Sequence, residues 1–101
     1  MITSYSQINS ILPLPNNDLL KDPFLTAVYW EKCAFYKFLD HDFQSAADAY
    51  QKAIQQGFPA AHLYYDRGFC LHLAGKTLES KKAFEQSQKI ANEPLPNSEI
   101  N

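Results

Sequence analysis

The chain has 101 residues, of which 46% are hydrophobic and 20% charged, and its net charge is -2. This length suits one compact domain rather than two. Phosphate binding needs clustered Lys and Arg, so the composition argues against nucleic acid or an anionic membrane surface as a partner.

The first 22 residues are predicted to form an arm that precedes the helical domain. Their first basic residue is Lys21, and no part of the chain is apolar for long enough to cross a bilayer, so we expect a cytoplasmic protein without membrane contact. Residues 4–12 carry an apolar side that favours a short helix, which Pro13 and Pro15 would end. The arm is therefore predicted to be extended or partly helical, either packed against the rest of the chain or disordered.

Beyond the arm, the apolar residues recur every three or four positions, which predicts helices and no strand. Asp22 followed by Pro23 is typical of a helix N-terminus, and Gly57 and Gly75 are suited to end helices in the left-handed conformation. The predicted helices span residues 23–39, 43–56, 60–73 and 77–91.

The first two predicted helices match the last two at a constant offset of 34 residues, from Trp30 to Tyr64 onward. Bulky positions meet bulky ones and small positions meet small ones, as expected where antiparallel helices pack closely. The large positions are Trp30, Tyr50, Tyr64 and Phe84, and the small ones are Ala34, Ala46, Gly68 and Ser80. Two abutting units follow, residues 27–60 and 61–94.

The second unit resembles a tetratricopeptide repeat (TPR) through its joint pattern of residues at this repeat length. The matching residues are Tyr64, Arg67, Gly68, Leu71, Gly75, Ser80, Phe84 and Pro94. The first unit resembles it through Trp30, Ala34, Ala46, Tyr50 and Ala53, although Lys37 stands where the family has a large apolar residue and His41 where it has a glycine. The resemblance implies an all-α fold of two tandem TPR-type hairpins (an α–α superhelix) at residues 23–94, followed by a flexible tail at 95–101.

In tetratricopeptide proteins the first helix of each repeat lines a concave surface, so the resemblance also implies a candidate binding site. The residues that it places there are Glu31, Phe35, Phe38, Leu39, His62, Tyr65, Phe69, His72 and Leu73. Aromatic residues dominate this set, which suits an extended or helical apolar peptide. For Phe35 and Phe69 a place in the core is an equally good interpretation.

No residue pattern indicates catalysis, a metal or a cofactor. His62 and His72 lie nearly three helical turns apart, too far to share a metal ion. Cys33 and Cys70 lack the close spacing of a redox or zinc site, and we expect them to be reduced core residues. The chain is therefore not expected to be an enzyme.

The leading functional hypothesis is a protein-binding module, an adaptor or a chaperone, that holds a segment of another polypeptide on the concave surface. A more specific version is a small chaperone of bacterial type III secretion, which this chain resembles in size and in its apolar groove. The alternative is a structural protein that forms a homo-oligomer through its repeat ends or its arm, because two repeats are fewer than a stable stack usually needs.

Overall fold

The computed structural model describes residues 21–58 and 60–93, and this part of the chain contains four helices and no strand. The helices are α1 (Pro23–Leu39), α2 (Phe43–Ile54), α3 (Ala61–Leu73) and α4 (Thr77–Asn92). The all-α prediction is confirmed for these residues, and the predicted helix ends differ from the observed ones by at most two residues. Most of the predicted arm and the whole predicted tail lie outside the described residues.

The start of α1 depends on Asp22. Its side chain accepts hydrogen bonds from the backbone N–H groups of Phe24 (3.0 Å) and Leu25 (3.3 Å), and Pro23 fills the first helical position. These contacts satisfy donors that the first turn of a helix leaves free. The predicted N-terminus is thus confirmed, and Asp42 caps α2 in the same way by accepting from the N–H of Ser45 at 3.3 Å.

The turns between the helices use three residues with positive φ. Gly57 (φ 93°) follows α2 and Gly75 (φ 84°) follows α3, as the sequence predicted. His41 occupies the turn between α1 and α2 at φ 62°, at the position that corresponds to Gly75. A residue with a Cβ atom is strained in this conformation, so the backbone geometry of this turn is kept although its glycine is missing.

Each helix packs on the next one in the chain, and the interior between them is built largely of small residues. Ala34, Ala46 and Ala53 are completely inaccessible to solvent, so the α1 and α2 backbones lie close together. Leu71 and Cys70 are the largest side chains that are fully buried. Small residues at helix contacts permit short interaxial distances, which explains why the interior holds few large aliphatic side chains.

The α3–α4 contact is equally close. A Cβ atom added to Gly68 would lie 2.9 Å from two ring carbons of Phe84 and 3.2 Å from the Cβ of Ala83. The hydroxyl of Ser80 donates to the carbonyl oxygen of Gly68 at 2.8 Å, and that of Ser87 donates to the carbonyl oxygen of Ala61 at 2.9 Å. These bonds anchor α4 to the backbone of α3.

Trp30 differs from the expectation that it fills interior volume. It packs against the core but is only partly buried, and the Lys52 ammonium nitrogen lies 4.5 Å from its ring centre. The ring lines an open groove of about 310 Å³ between α1 and α2. An indole at the first helix of an array has no preceding unit against which to bury its second face, which accounts for the difference.

The outer side of α4 is polar. Lys81, Lys82, Glu85 and Lys89 are all exposed, as the sequence predicted for a solvated face. Among the described residues, none of the helices has both the length and the apolar character that a membrane span requires.

Candidate functional site

Five of the nine residues that were expected to line a binding surface belong to α3, and all five are solvent-exposed. They are His62, Tyr65, Phe69, His72 and Leu73. Their spacing of three or four residues places them on one side of the helix. Tyr65 is 55% exposed and Phe69 41%, so these rings are not core residues despite their size.

The four residues from α1 divide between surface and interior. Phe35 is 49% exposed, whereas Glu31 and Leu39 are partly buried. Phe38 is also partly buried and packs against the core, so it supplies both surface and interior contacts. For Phe35, as for Phe69, the structure favours the exposed position over the core position that the sequence had left open.

Two side-chain contacts join α1 to α3 across this face. The Nε2 atom of His62 lies 3.0 Å from the Oε2 atom of Glu31, and the ring centres of Phe38 and Phe69 are 6.0 Å apart. The two sets of residues therefore form one continuous patch. We call the nine residues together the α1–α3 surface.

Sequence reasoning missed three exposed apolar residues near the start of α1, namely Phe24, Leu25 and Val28, which are 58%, 44% and 40% exposed. The ring of Phe24 packs edge-on against Phe58 at 5.8 Å between centres. Val28 could have been found from the 34-residue offset, because it corresponds to His62 of the predicted set.

A small pocket opens beside the α1–α3 surface where α1, α2 and α3 meet. Its volume is about 100 Å³, and its lining residues are Phe38, Tyr50, Asp66, Phe69 and Cys70. Tyr50 and Cys70 are 6% and 2% exposed and form its inner wall, whereas Phe69 is exposed at its rim. The pocket was not predicted, because it depends on how three helices meet rather than on any sequence period.

Burial sets the acid–base properties of this pocket. It raises the pKa of the Asp66 carboxyl, an effect that nearby His62 opposes and Glu31 reinforces. It also raises the pKa of the Tyr50 hydroxyl, and it raises that of the Cys70 thiol to about 11, in both cases with help from Asp66. Asp66 is therefore the group in the pocket that carries charge at neutral pH, and the thiol is protonated.

Comparison with protein-family models, with curated proteins and with solved structures finds no significant match to this chain. The functional argument accordingly rests on the chemistry of the described residues.

The two cysteines are buried and not disulfide-bonded, and burial raises the pKa of Cys33 as it does that of Cys70. Both thiols are thus poor nucleophiles at neutral pH. Within residues 21–58 and 60–93, no three His, Cys, Asp or Glu side chains are grouped closely enough to hold a metal ion. The chemistry available on the α1–α3 surface is apolar and aromatic contact with a few polar groups.

Proposed function

We propose that this chain forms two TPR-type helical hairpins and binds a segment of another polypeptide on the α1–α3 surface. The repeat interpretation is supported by features that recur 34 residues apart. Ala34 and Gly68 are both buried at helix contacts, and His41 and Gly75 both have positive φ. In a TPR arrangement the α1–α3 surface is the concave side.

The observation that carries the functional proposal is the continuous row of exposed aromatic rings on two packed helices. Phe35, Tyr65 and Phe69 are each at least two-fifths exposed, and Phe69 contacts Phe38 across the helix boundary. Soluble proteins seldom leave a contiguous apolar patch without a use in binding. Rings on helices also lose little conformational entropy when a partner binds, because the helices already fix their positions.

The partner best suited to this surface is an extended or helical segment with apolar side chains. Phe35, Tyr65 and Phe69 offer separate ring faces between which such side chains can insert. His62 and Glu31 offer polar contacts beside the rings, and their hydrogen bond to each other is exposed and therefore open to exchange with a partner group. An adaptor or a chaperone would use such a surface.

Site-specific photocrosslinking tests this proposal. A photoreactive phenylalanine analogue is placed at position 65 or 69, and at position 86 on the exposed side of α4 as a control, and the chain is irradiated in cells that express it. We expect products joined to a different polypeptide from positions 65 and 69 but not from 86. Equal products from all three positions, or none from 65 and 69, would contradict the proposal.

A second candidate function is self-association, and it is favoured by the exposed Phe24, Leu25 and Val28 beside the α1–α3 surface. Light scattering over a range of concentrations, with and without residues 1–20, separates the two. A stable dimer whose crosslinks from position 69 join only copies of the chain would support self-assembly. A monomer that is unchanged by the deletion supports a surface that is open to a foreign segment.

The remaining assignments follow the same proposal. We infer a binding protein rather than an enzyme, without a cofactor and without nucleic acid as a partner. A reducing compartment such as the cytoplasm suits the two unpaired thiols of Cys33 and Cys70.

A further inference from the structure

The pocket beside the α1–α3 surface contains two polar groups that lack partners within the described part of the chain. Tyr50 is 6% exposed, and its hydroxyl forms no hydrogen bond with another described residue. The Asp66 carboxylate likewise has no hydrogen bond or ion pair there, and the adjacent Arg67 does not pair with it. Polar groups at such depth are normally satisfied, so this pair marks a place for a ligand group.

The local charge at the pocket is negative. Asp66 lies in it and Glu31 lies close enough to raise the pKa of Asp66, whereas the nearest basic group is His62, which is hydrogen-bonded to Glu31. Both acceptors of the pocket, the carboxylate of Asp66 and the hydroxyl oxygen of Tyr50, can receive hydrogen bonds from an N–H donor. A donor-rich cation matches this combination, and an anion does not.

The walls of the pocket suit a flat cation. Phe38 and Phe69 stand at its sides with their ring centres 6.0 Å apart, and a guanidinium or ammonium group is attracted to aromatic ring faces. The volume of about 100 Å³ admits a group of several heavy atoms, since about 10–15 Å³ of such space holds one water molecule. Guanidinium fits better than ammonium because it stacks on rings and gives up its hydration more easily.

We propose that this pocket binds a cationic side chain of the partner segment, preferably arginine, through the carboxylate of Asp66, the hydroxyl of Tyr50 and the rings of Phe38 and Phe69. This inference rests on the proposed function and narrows it. The partner segment then carries a basic residue flanked by apolar residues that contact Phe35 and Tyr65. An acidic or wholly apolar segment is excluded as the preferred partner.

A small probe tests the pocket without knowledge of the partner. The isotope-labelled full chain is titrated with n-butylguanidinium and, separately, with n-butylurea, which has nearly the same shape but no charge, at constant ionic strength. We expect saturable shifts of the amide resonances of Asp66, Phe69 and Cys70 with butylguanidinium only, with a dissociation constant on the order of 1–10 mM for a ligand of this size. Equal shifts with butylurea, or no saturable shift up to about 50 mM, would overturn the inference.

Three variants assign the binding to named groups. Asp66→Asn should weaken butylguanidinium binding at least about fivefold, because it removes the charge that the cation pairs with. Tyr50→Phe keeps the ring and should weaken it about twofold. Asp48→Asn removes a carboxylate that is exposed on α2 outside the pocket and should have no effect. Unchanged binding by Asp66→Asn, in a variant whose other resonances are unmoved, would sink the assignment.

The outcome for the pocket can be separated from the outcome for the binding surface. If crosslinking from positions 65 and 69 captures a partner but that partner binds Asp66→Asn as tightly as the parent, the surface stands and the cation site is wrong. If butylguanidinium binds as expected while no partner is captured, the pocket chemistry stands and the proposed function fails.

Discussion

The helix pairs α1–α2 and α3–α4 reach a similar close approach with different side chains. At two contact positions α2 has alanines, Ala46 and Ala53, both fully buried. The residues 34 positions later in α4 are Ser80 and Ser87, which donate hydrogen bonds to carbonyl oxygens of α3. α2 buries six residues and α4 only three. A helix with little apolar burial is thus fixed by directed hydrogen bonds, whereas one with more burial needs packing alone.

The same comparison extends to the facing helices. Ala34 of α1 is fully buried beside its partner helix, and its counterpart Gly68 lies where a Cβ atom would meet the ring of Phe84. The ring of Phe84 also packs on Tyr65 of the α1–α3 surface at 5.1 Å. In the second pair the missing Cβ therefore makes room for a ring that supports the proposed binding surface.

The largest expected effect comes from Gly68→Leu. Its side chain would occupy the position of Phe84 and Ala83, and we expect a loss of unfolding free energy of about 3 kcal/mol or more from overpacking. Gly68→Ala should cost much less, because the partly exposed Phe84 ring can tilt and alanine favours a helix by about 1 kcal/mol. Urea denaturation measures both, and a leucine variant within about half a kcal/mol of the parent would refute the close contact.

Trp30→Ala and Tyr64→Ala compare the large positions of the two pairs. Trp30 is only partly buried, so we expect a loss of about 2–3 kcal/mol, at or below the lower end of the range for fully buried aromatic residues. Tyr64 packs against the core to a similar extent but has a smaller ring, and its loss should be somewhat smaller. Thermal and urea unfolding of both variants provide the test. A cost above about 5 kcal/mol for Trp30→Ala would mean that the indole is buried by residues outside 21–58 and 60–93.

Ser80→Ala tests the hydrogen bonds of the second pair directly. Removing the hydroxyl that donates to the Gly68 carbonyl should cost about 1 kcal/mol. Ser87→Ala should cost a similar amount through the bond to Ala61. Calorimetric or urea unfolding of the single and double variants should show nearly additive losses. If both serines can be replaced at no cost, packing alone holds α4.

The smallest effect concerns Asp66, whose counterpart in the first pair is the exposed Lys32. Burial raises the pKa of Asp66, so the folded protein binds this proton more tightly than the unfolded chain. Ionisation of Asp66 therefore lowers stability above its folded pKa, and this cost vanishes as the pH falls below the ordinary aspartate range. Asp66→Asn should be at least as stable as the parent at pH 7, with a margin that shrinks toward pH 4.

Lys32→Gln is the matched control for that pH series, since it changes the corresponding exposed position. Its stability relative to the parent should vary little between pH 4 and 7. A margin for Asp66→Asn that grows as the pH is lowered would show that folding stabilises the ionised carboxylate, which is the opposite of the effect expected from burial.

Local chemistry made the helices and turns predictable. The Asp22–Pro23 start, the glycines at 57 and 75 and the 34-residue match between small positions are all fixed by neighbours in sequence, and each has its expected place in the structure. The exposed row on α3 also followed from helical spacing together with the family resemblance.

Features that depend on contacts between distant helices were not predictable. The Glu31–His62 pair and the pocket at Asp66 arise only when α1 and α3 lie side by side. The partial exposure of Trp30 depends on what lies at the open end of the first pair, about which the local pattern contains no information. Sequence period specifies which side a residue occupies on its own helix but not what faces it.

The most direct test of the central claim is the double variant Tyr65→Ser, Phe69→Ser, with Leu78→Ser as a control because Leu78 is 66% exposed on α4, outside the α1–α3 surface. Circular dichroism and urea unfolding are measured beside binding of the partner identified by crosslinking. We expect helical content to be kept, an unfolding free energy within about 1 kcal/mol of the parent, and partner binding reduced at least about tenfold in the double variant only. A double variant that unfolds, or that binds the partner as tightly as the control does, would contradict the assignment of these rings to a binding surface.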